Sequence, residues 1–498
     1  MPEDVGYAWR ALSVVGLASI LTSLNASALT TALPAISAHF HASASATSWV
    51  LLSYLLVGTA STLAWGRCAD LFGRRTMYLT GLAIYTGASL ALGFAPSIQV
   101  LLVARVVQAA ASAMLLTNSA AIVSAAFPPR LLSTGMGIYL SSFSLAALVG
   151  PTVGGALVTV WGWQWVFWFN VPVGLVCLVW GFVVLRRTPG ADGPRGLDLR
   201  GNALFAAAIV GLLLALSEVG LAGWNSPVVL IGLVVFVLLM PAFVVLERRV
   251  ARPVLDLQLL TDRTFAIGNA AAFLNVLARS SVVLVVALYF QAVRGDTALH
   301  AGIAVLPLSA AVVVGSLSIG RISRRFSPRV IAAGGSAVAT VGLLLLLVTV
   351  GPQVDYALML PGILLVGLGS GMFMPANVTA ILDGTPPDRL GASNAVRLVL
   401  QNTAMVMGSA VSLTLLAAPL PAAQRAAVFT GGLTGVDPHT AAALVRGYRA
   451  TYVFMVIVSL AGTALSILSS RRSPAEETDA ASAAPDVREG TPCGVPTR

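Results

Sequence analysis

Apolar stretches long enough to cross a bilayer recur along nearly the whole of this chain, and that feature decides most of what it can fold into. About 20 apolar residues in helical form cover the roughly 30 Å of hydrocarbon. Fourteen such stretches occur in the 498 residues, near 11–33, 48–66, 76–95, 98–126, 132–158, 165–185, 200–220, 226–246, 265–292, 299–320, 330–350, 356–381, 390–416 and 450–469. In lipid each backbone group must be bonded within its own segment unless a barrel closes, so runs of this length read as helices. Composition agrees. The chain is 57% apolar and only 10% charged, where a soluble protein carries about 25% charged residues. The chain therefore reads as an all-α, multi-pass integral membrane protein.

The net charge of +10 does not point to nucleic acid, because the basic residues sit in short loops between apolar runs. All 29 are Arg; 22 fall in segments on one side, four on the other (Arg294, Arg425, Arg446, Arg449), and three within spans. Positive charge collects on the cytoplasmic side of membrane proteins. The expectation is thus a cell-membrane protein with both termini cytoplasmic. The exclusive use of Arg over Lys reads as coding bias in a bacterial genome. Cys68, Cys177 and Cys493 have neither metal spacing nor an even framework, and read as free thiols. The first apolar run is too long for a cleavable leader and reads as a span.

Other classes find little support. Four His, no HExxH and no acid pair within a span argue against a membrane enzyme, and no metal or cofactor is expected. A Walker sequence needs Lys, which the chain lacks, so ATP does not drive it. Instead there is an internal repeat. "GRCADLFGRR" (66–75) has an echo in "GRISRRFSPR" (320–329), "LTNSAAI" (116–122) in "PANVTAI" (375–381), and Pro128-Pro129 precedes Gly150 as Pro386-Pro387 precedes Gly408. Parallel repeats of this kind mark secondary transporters, whose substrate sites lie at the repeat interface near the midplane. The expected organisation is a six-helix bundle over 1–190, a linker with an extra hairpin over 191–262, a second six-helix bundle over 263–472, and a polar, disordered cytoplasmic tail over 473–498.

"GRCADLFGRRTMYL" (66–79) keeps Asp70, Arg74 and Arg75 at the membrane interface, while Gly66 and Gly73 allow close approach and a tight turn. It resembles the loop-2/3 signature of the major facilitator superfamily. "LLVARVVQAAASA" (101–113) resembles that family's buried-Arg motif, with Ala109 where Gly is usual. "AALVGPTVGG" (146–155), carrying Gly150, Pro151, Gly154 and Gly155, resembles its antiporter motif. The stretches 262–274, 288–308 and 391–411 resemble spans nine, ten and thirteen of the fourteen-helix drug:proton antiporter branch. The resemblance covers about residues 10–470. It implies two six-helix bundles related by a pseudo-two-fold, with an inserted two-helix hairpin. It also implies export of a small, partly apolar, drug-like compound by alternating access, coupled to protons, by a monomer. In the family the motif's Asp is thought to hold the halves together on the cytoplasmic side. Two partners are open to Asp70 here, a helix N-terminus of the second half or the Arg321–Arg325 cluster.

One departure stands out. The branch usually has an Asp, commonly assigned to proton coupling or cation recognition, where this chain has Asn25. An amide cannot take up and release a proton near neutral pH. Asn25 lies about 21 Å along span one from its cytoplasmic start, Arg105 about 10 Å into span four from the outside and Arg279 about 21 Å into span nine from the inside, at 1.5 Å per residue, so all three are expected in the outer half of the bilayer at similar depth. Buried Arg is functional or paired by default. The candidate substrate path comprises Asn25, Thr22, Arg105, Gln108, Asn118, Arg279, Arg397 and Gln401. Two readings stay open. The three Arg bias the cavity towards neutral or anionic compounds, or they are neutralised by carbonyls, Asn118, Gln401 or Asn402 and never meet substrate. Coupling through another acid leaves Glu218, Asp70 and Asp383; uniport or coupling to another ion, exporting a neutral or anionic metabolite, is the alternative. Ser23, Ser27 and Thr30 read as a packing stripe, and Trp161, Trp163, Trp165 and Trp168 as an interfacial belt.

Overall fold

The computed structural model of the chain describes residues 4–187, 198–250, 261–294, 298–351, 355–383, 385, 390–420 and 438–470. The helices are α1 (Val5–Phe40), α2 (Ala44–Phe72), α3 (Arg74–Gly93), α4 (Ile98–Ala126), α5 (Pro129–Trp161), α6 (Trp165–Trp168), α7 (Asn170–Val184), α8 (Leu199–Ala222) and α9 (Pro227–Glu247). There follow α10 (Arg263–Arg279), α11 (Val282–Ala292), α12 (Ala298–Ile322), α13 (Pro328–Thr349), α14 (Tyr356–Asp383), α15 (Leu390–Ala417) and α16 (Pro438–Ser470). With α6–α7 and α10–α11 each counted as one interrupted rod, these make fourteen membrane-length helices. Thirteen are apolar enough to cross on composition alone, and α3, which opens on Arg74-Arg75, is the fourteenth. Among the described residues there is no strand.

Starts follow capping chemistry. Asp4 accepts from Tyr7 N at 2.9 Å and Asp262 from Phe265 N at 2.8 Å, while Pro129, Pro227 and Pro328 open helices where no N–H is needed. Two expected spans are interrupted. Pro172 cannot donate to the Trp168 carbonyl, so one bond is missing at Phe169, whose backbone stays α-helical (φ −54°, ψ −32°). The 265–292 run breaks at Ser280-Ser281, immediately after Arg279.

In the first half α1 packs along α5, and α4 lies between α2 and α3; in the second, α14 lies between α12 and α13, and α16 packs on α10 and α13. The 258-residue offset between Gly150 and Gly408 has a structural counterpart. A Cβ built on Gly150 would overlap Ser27 of α1, and one built on Gly408 would lie 2.6 Å from Ser280 Oγ after α10. The halves meet along α5–α12 and α2–α15. The α8–α9 hairpin packs on α2 and α15, through Leu56, Leu63, Phe205, Ile209 and Val396. Its outer face, with Val237 and Leu238, is exposed, as a lipid-facing surface requires.

The aromatic belt needs one correction. Trp163 is buried against Phe40 and Phe167 because the turn at Gly162 (φ +96°) folds it inward, whereas Trp161 and Trp165 are exposed. The proposed tail over 473–498 lies outside the described residues, as do 421–437; the last helix begins at Pro438, twelve residues before the expected span 450–469.

Candidate functional site

A cavity of about 300 Å³ lies between the two halves. Its lining comes from α5 (Leu140, Phe143, Ser144), the end of α10 (Asn275, Val276, Arg279, with Ser280), α12 (Leu308, Val312, Ser316), α14 (Val366, Ser370, Gly371, Phe373, Met374) and Gln401 of α15. Leu140 and Gln401 are each 11 residues into their helices, hence about 16 Å deep at 1.5 Å per residue. That is near mid-membrane, and the volume lies at the small end of ligand sites, about 300–1,000 Å³.

Of the eight path candidates, the structure brings Arg279 and Gln401 into this lining. Arg279 Nε donates to its own helix at Asn275 O (3.0 Å), Nη1 reaches Ser370 Oγ at 3.4 Å, and the guanidinium stands 5.2 Å from the Phe373 ring centroid. Its Nη2 is buried and makes no hydrogen bond among the described residues. A buried donor without a partner costs about 1–3 kcal/mol.

The other six lie outside the lining; neighbours bond each of them, although Asn118 Oδ1 is buried with no partner among the described residues. Arg105 is 1% exposed. It donates to Gln108 Oε1 (2.5 Å), Asn25 Oδ1 (3.3 Å) and Val50 O (3.3 Å), and lies 4.3 Å over the Tyr54 ring. Asn25 in turn donates to Val166 O at 3.2 Å, and Gln108 to Ser89 Oγ at 2.8 Å. Neutral dipoles thus surround this charge, and the amide at position 25 supplies both an acceptor for Arg105 and a donor for the α6 carbonyl. A carboxylate offers only acceptors. Thr22 returns its hydroxyl to Ala18 O, and Asn118 its Nδ2 to Met114 O. Arg397 is held by Asn394 Oδ1 and Gln401 Oε1, both at 2.9 Å. Amide and carbonyl oxygens thus answer Arg105 and Arg397; of the side chains expected to do so Gln401 takes part, while Asn118 and Asn402 bond elsewhere. Arg279 has an N–H at the cavity wall with no partner among the described residues.

At the Arg-rich end, of Asp70's two open partners the structure selects the helix N-terminus. Asp70 Oδ1 accepts from Gly391 N (3.3 Å) and Oδ2 from Ala392 N (3.1 Å), in the first turn of α15. An anion there gains up to about 2 kcal/mol when partly buried. Gly66 allows the approach, since a Cβ on it would lie 2.9 Å from Gly391 O and 2.7 Å from Ala395 Cβ. Gly73 (φ +88°) turns the chain into α3, where Arg74 is buried and Arg75 donates to Phe182 O at 2.8 Å. Further cross-half bonds run from Asn394 Nδ2 to Thr117 O (2.6 Å) and from Asn402 Nδ2 to Thr59 Oγ1 (3.0 Å). On the other seam a Cβ on Gly137 would meet Ser316 O at 2.6 Å. The halves are therefore tied from the Arg-rich end to about mid-depth.

The Gly-Pro motif packs within the first half. A Cβ on Gly154 would sit 2.6 Å from Thr31 Oγ1 of α1, whereas Gly155 faces open space. Ser23 also bridges α1 to α5, through Phe143 O at 2.8 Å, and Ser27 faces Gly150, but Thr30 is exposed and returns its hydroxyl to Ser27 O, so the expected packing stripe holds for the two serines and not for Thr30. Sequence reasoning missed Phe143, Ser144, Ser370 and Phe373. Ordinary apolar and hydroxyl residues inside spans carry no local signal; only their three-dimensional convergence identifies them.

Comparison with known proteins fits this geometry. A family model described as Major Facilitator Superfamily matches residues 15–409. "Multidrug resistance protein Stp" of Mycobacterium tuberculosis is 32% identical over 412 residues, covering 82% of this chain and 76% of that protein. "Puromycin resistance protein pur8" of Streptomyces alboniger is 31% identical over 484 residues, covering 96% and 94%. "Tetracenomycin C resistance and export protein" of Streptomyces glaucescens is 28% identical over 450 residues, covering 88% and 81%. Among solved structures, the human organic anion transporter MFSD10 (TETRAN) aligns with a TM-score of 0.63 at 16% identity, covering 92% of this chain and 99% of that one. At that identity the likeness is of fold.

Proposed function

Since the chain belongs to the major facilitator superfamily, a family of transporters and not of enzymes, we propose that it exports a small, partly apolar, antibiotic-like compound by alternating access. The observation that carries this is the cavity at mid-depth between two halves that are tied together at one end. The Arg-rich end is the cytoplasmic one, by charge asymmetry, so the described arrangement is closed towards the cytoplasm. The first half, the inserted hairpin and the second half are the moving and connecting parts. Relatives named for resistance to puromycin and tetracenomycin C support the direction and the class of cargo. Expression in an efflux-deficient bacterium tests it. The expected result is a raised inhibitory concentration for at least one antibiotic, with lower intracellular accumulation. Unchanged growth and accumulation across a broad panel would contradict it.

Proton antiport is the proposed drive. Asp70 is the carboxylate at the seam between halves, whereas Glu218 sits on the inserted hairpin and Asp383 is exposed at a helix end. Protonation of Asp70 removes the charge that the α15 amides hold and loosens the closed end. Uniport, or coupling to another ion, is favoured by a different observation: no acid lines the cavity among the described residues, and position 25 is an amide. Flux into proteoliposomes with and without an imposed pH gradient separates the two. Acceleration by the gradient, lost in Asp70→Asn, supports antiport; indifference to the gradient supports the alternative.

A further inference from the structure

Three Arg lie deep in the bundle, and their surroundings differ in kind. Arg105 receives two side-chain amide oxygens and a backbone carbonyl, and Arg397 receives two side-chain amide oxygens. Arg279 receives one carbonyl of its own helix and one distant hydroxyl, and its Nη2 has no acceptor among the described residues. It is also the one of the three that lines the cavity. Guanidinium stays protonated under any physiological condition, and its planar fork matches carboxylate and sulfonate oxygens. Among the described residues no Asp or Glu appears in the lining to neutralise it. A lipophilic cation entering here would meet an uncompensated positive charge in a medium that screens poorly.

The rest of the lining fits the other end of such a ligand. Leu140 and Phe143 from the first half face the second-half residues Val312 and Met374 across the cavity, and Phe373 lies under the Arg279 guanidinium. Ser280, also lining, has a buried hydroxyl with no partner among the described residues. The result is one charged pole on an otherwise mainly apolar chamber, with both halves contributing walls.

We propose that this cavity binds small amphipathic anions, Arg279 receiving a carboxylate, sulfonate or phenolate group and the Leu140–Phe143–Val312–Met374 walls an aromatic body. This deepens the export reading and depends on it only for what happens to the ligand after binding. Three probes with one aromatic body and different charge test it: naphthalene-2-sulfonate, naphthalene-2-sulfonamide and (2-naphthylmethyl)trimethylammonium. Binding of each radiolabelled probe is measured on the full chain in nanodiscs. The sulfonate is expected to bind about tenfold or more tighter than the other two, the scale on which a desolvated charge-assisted pair discriminates. Arg279→Gln should remove that preference, and Arg279→Lys should keep most of it. Ser370→Asp leaves Arg279 in place and adds a carboxylate beside its Nη1, so it should abolish sulfonate preference without depending on the loss of Arg279. Equal or tighter binding of the ammonium or the sulfonamide overturns the proposal, as does sulfonate binding indifferent to both Arg279→Gln and Ser370→Asp. Arg279-dependent sulfonate binding without any proteoliposome flux would remove the export reading and keep the site. Flux of the ammonium probe, unchanged by Arg279→Gln, would do the reverse.

Discussion

At the scale of single residues, Asn25 shows how a substitution visible in the sequence acquires a different meaning in three dimensions. The sequence marked it as the amide that replaces a coupling acid, and placed it at the depth of Arg105. The structure joins the two at 3.3 Å and closes Asn25 off from the cavity. Its task is to hold α1, α4 and α6 together through one acceptor and one donor. Asn25→Leu leaves Arg105 short of an acceptor and cuts the α1–α6 bond, the Val166 carbonyl keeping Asn170 Nδ2 at 3.0 Å. It should destabilise the protein by about 1–3 kcal/mol, read as a lower midpoint of thermal unfolding in detergent; an unchanged midpoint would contradict this. Outside the membrane, Asp4 caps α1 through Tyr7 N and pairs with Arg186, which together hold its carboxyl below the ordinary value of 3.8. A depressed folded-state value means stabilisation that is complete above 3.8 and fades as pH falls through the lower, folded value. Asp4→Asn should therefore lower the unfolding midpoint at neutral pH and make no difference at the acid end of that window. A pH-independent difference would mean that packing, not charge, is lost. Residue type and depth were legible in the sequence for Arg105 and Arg279, but not their neighbours. Nothing in the spacing told that Gln108 would answer one charge while nothing answered all of the other.

Helical elements were the most legible scale, because hydrocarbon thickness and backbone bonding leave a run of apolar residues one option. The 98–126 span coincides with α4, and 390–416 with α15 to within a residue. What escaped notice were interruptions. Pro172 was readable as a break in hindsight of its missing N–H, but Ser280-Ser281 carries no rule-bound signal, and that break is what ends α10 on Arg279. Packing contrasts between adjacent glycines give a sharp test. Gly154→Val drives a side chain into α1, and overpacking costs about 1–3 kcal/mol; Gly155→Val points into open space and should be tolerated. Melting temperatures of the two variants should separate in that order. Equal tolerance would mean that the α1–α5 contact is looser than described. At the other end of the bundle, Asp70→Asn keeps the shape but removes the anion from the α15 N-terminus, at a loss of up to about 2 kcal/mol. Hydrogen–deuterium exchange of the first-turn amides of α15, Gly391 and Ala392, should become faster as that end opens more often. Unaltered exchange would show that the carboxylate contributes nothing to closure.

On the scale of the whole molecule, the repeat in the sequence pointed to two halves before any coordinates, since motif offsets persist where individual identities fade. The Gly150–Ser27 and Gly408–Ser280 contacts give that offset a physical form. The cavity itself was not legible. Its walls come from five helices whose lining residues are spread from Leu140 to Gln401, and convergence of that kind depends on crossing geometry, not on local pattern. The proposed export requires the two halves to move against each other about this chamber, with the Arg-rich end opening and closing. The Gly66–Ala395 contact offers a direct handle, because a Cβ on Gly66 lies 2.7 Å from that of Ala395 and 2.9 Å from the Gly391 carbonyl oxygen, so that a disulfide forms once α2 and α15 move apart enough to bring the two Cβ atoms to about 3.8 Å. The measurement is naphthalene-2-sulfonate flux in proteoliposomes carrying Gly66→Cys with Ala395→Cys, in a background where Cys68, Cys177 and Cys493 are replaced by Ser. Flux that falls to the level of protein-free liposomes on oxidation and returns on reduction is the predicted result; flux undiminished through the oxidised, bridged protein would contradict it.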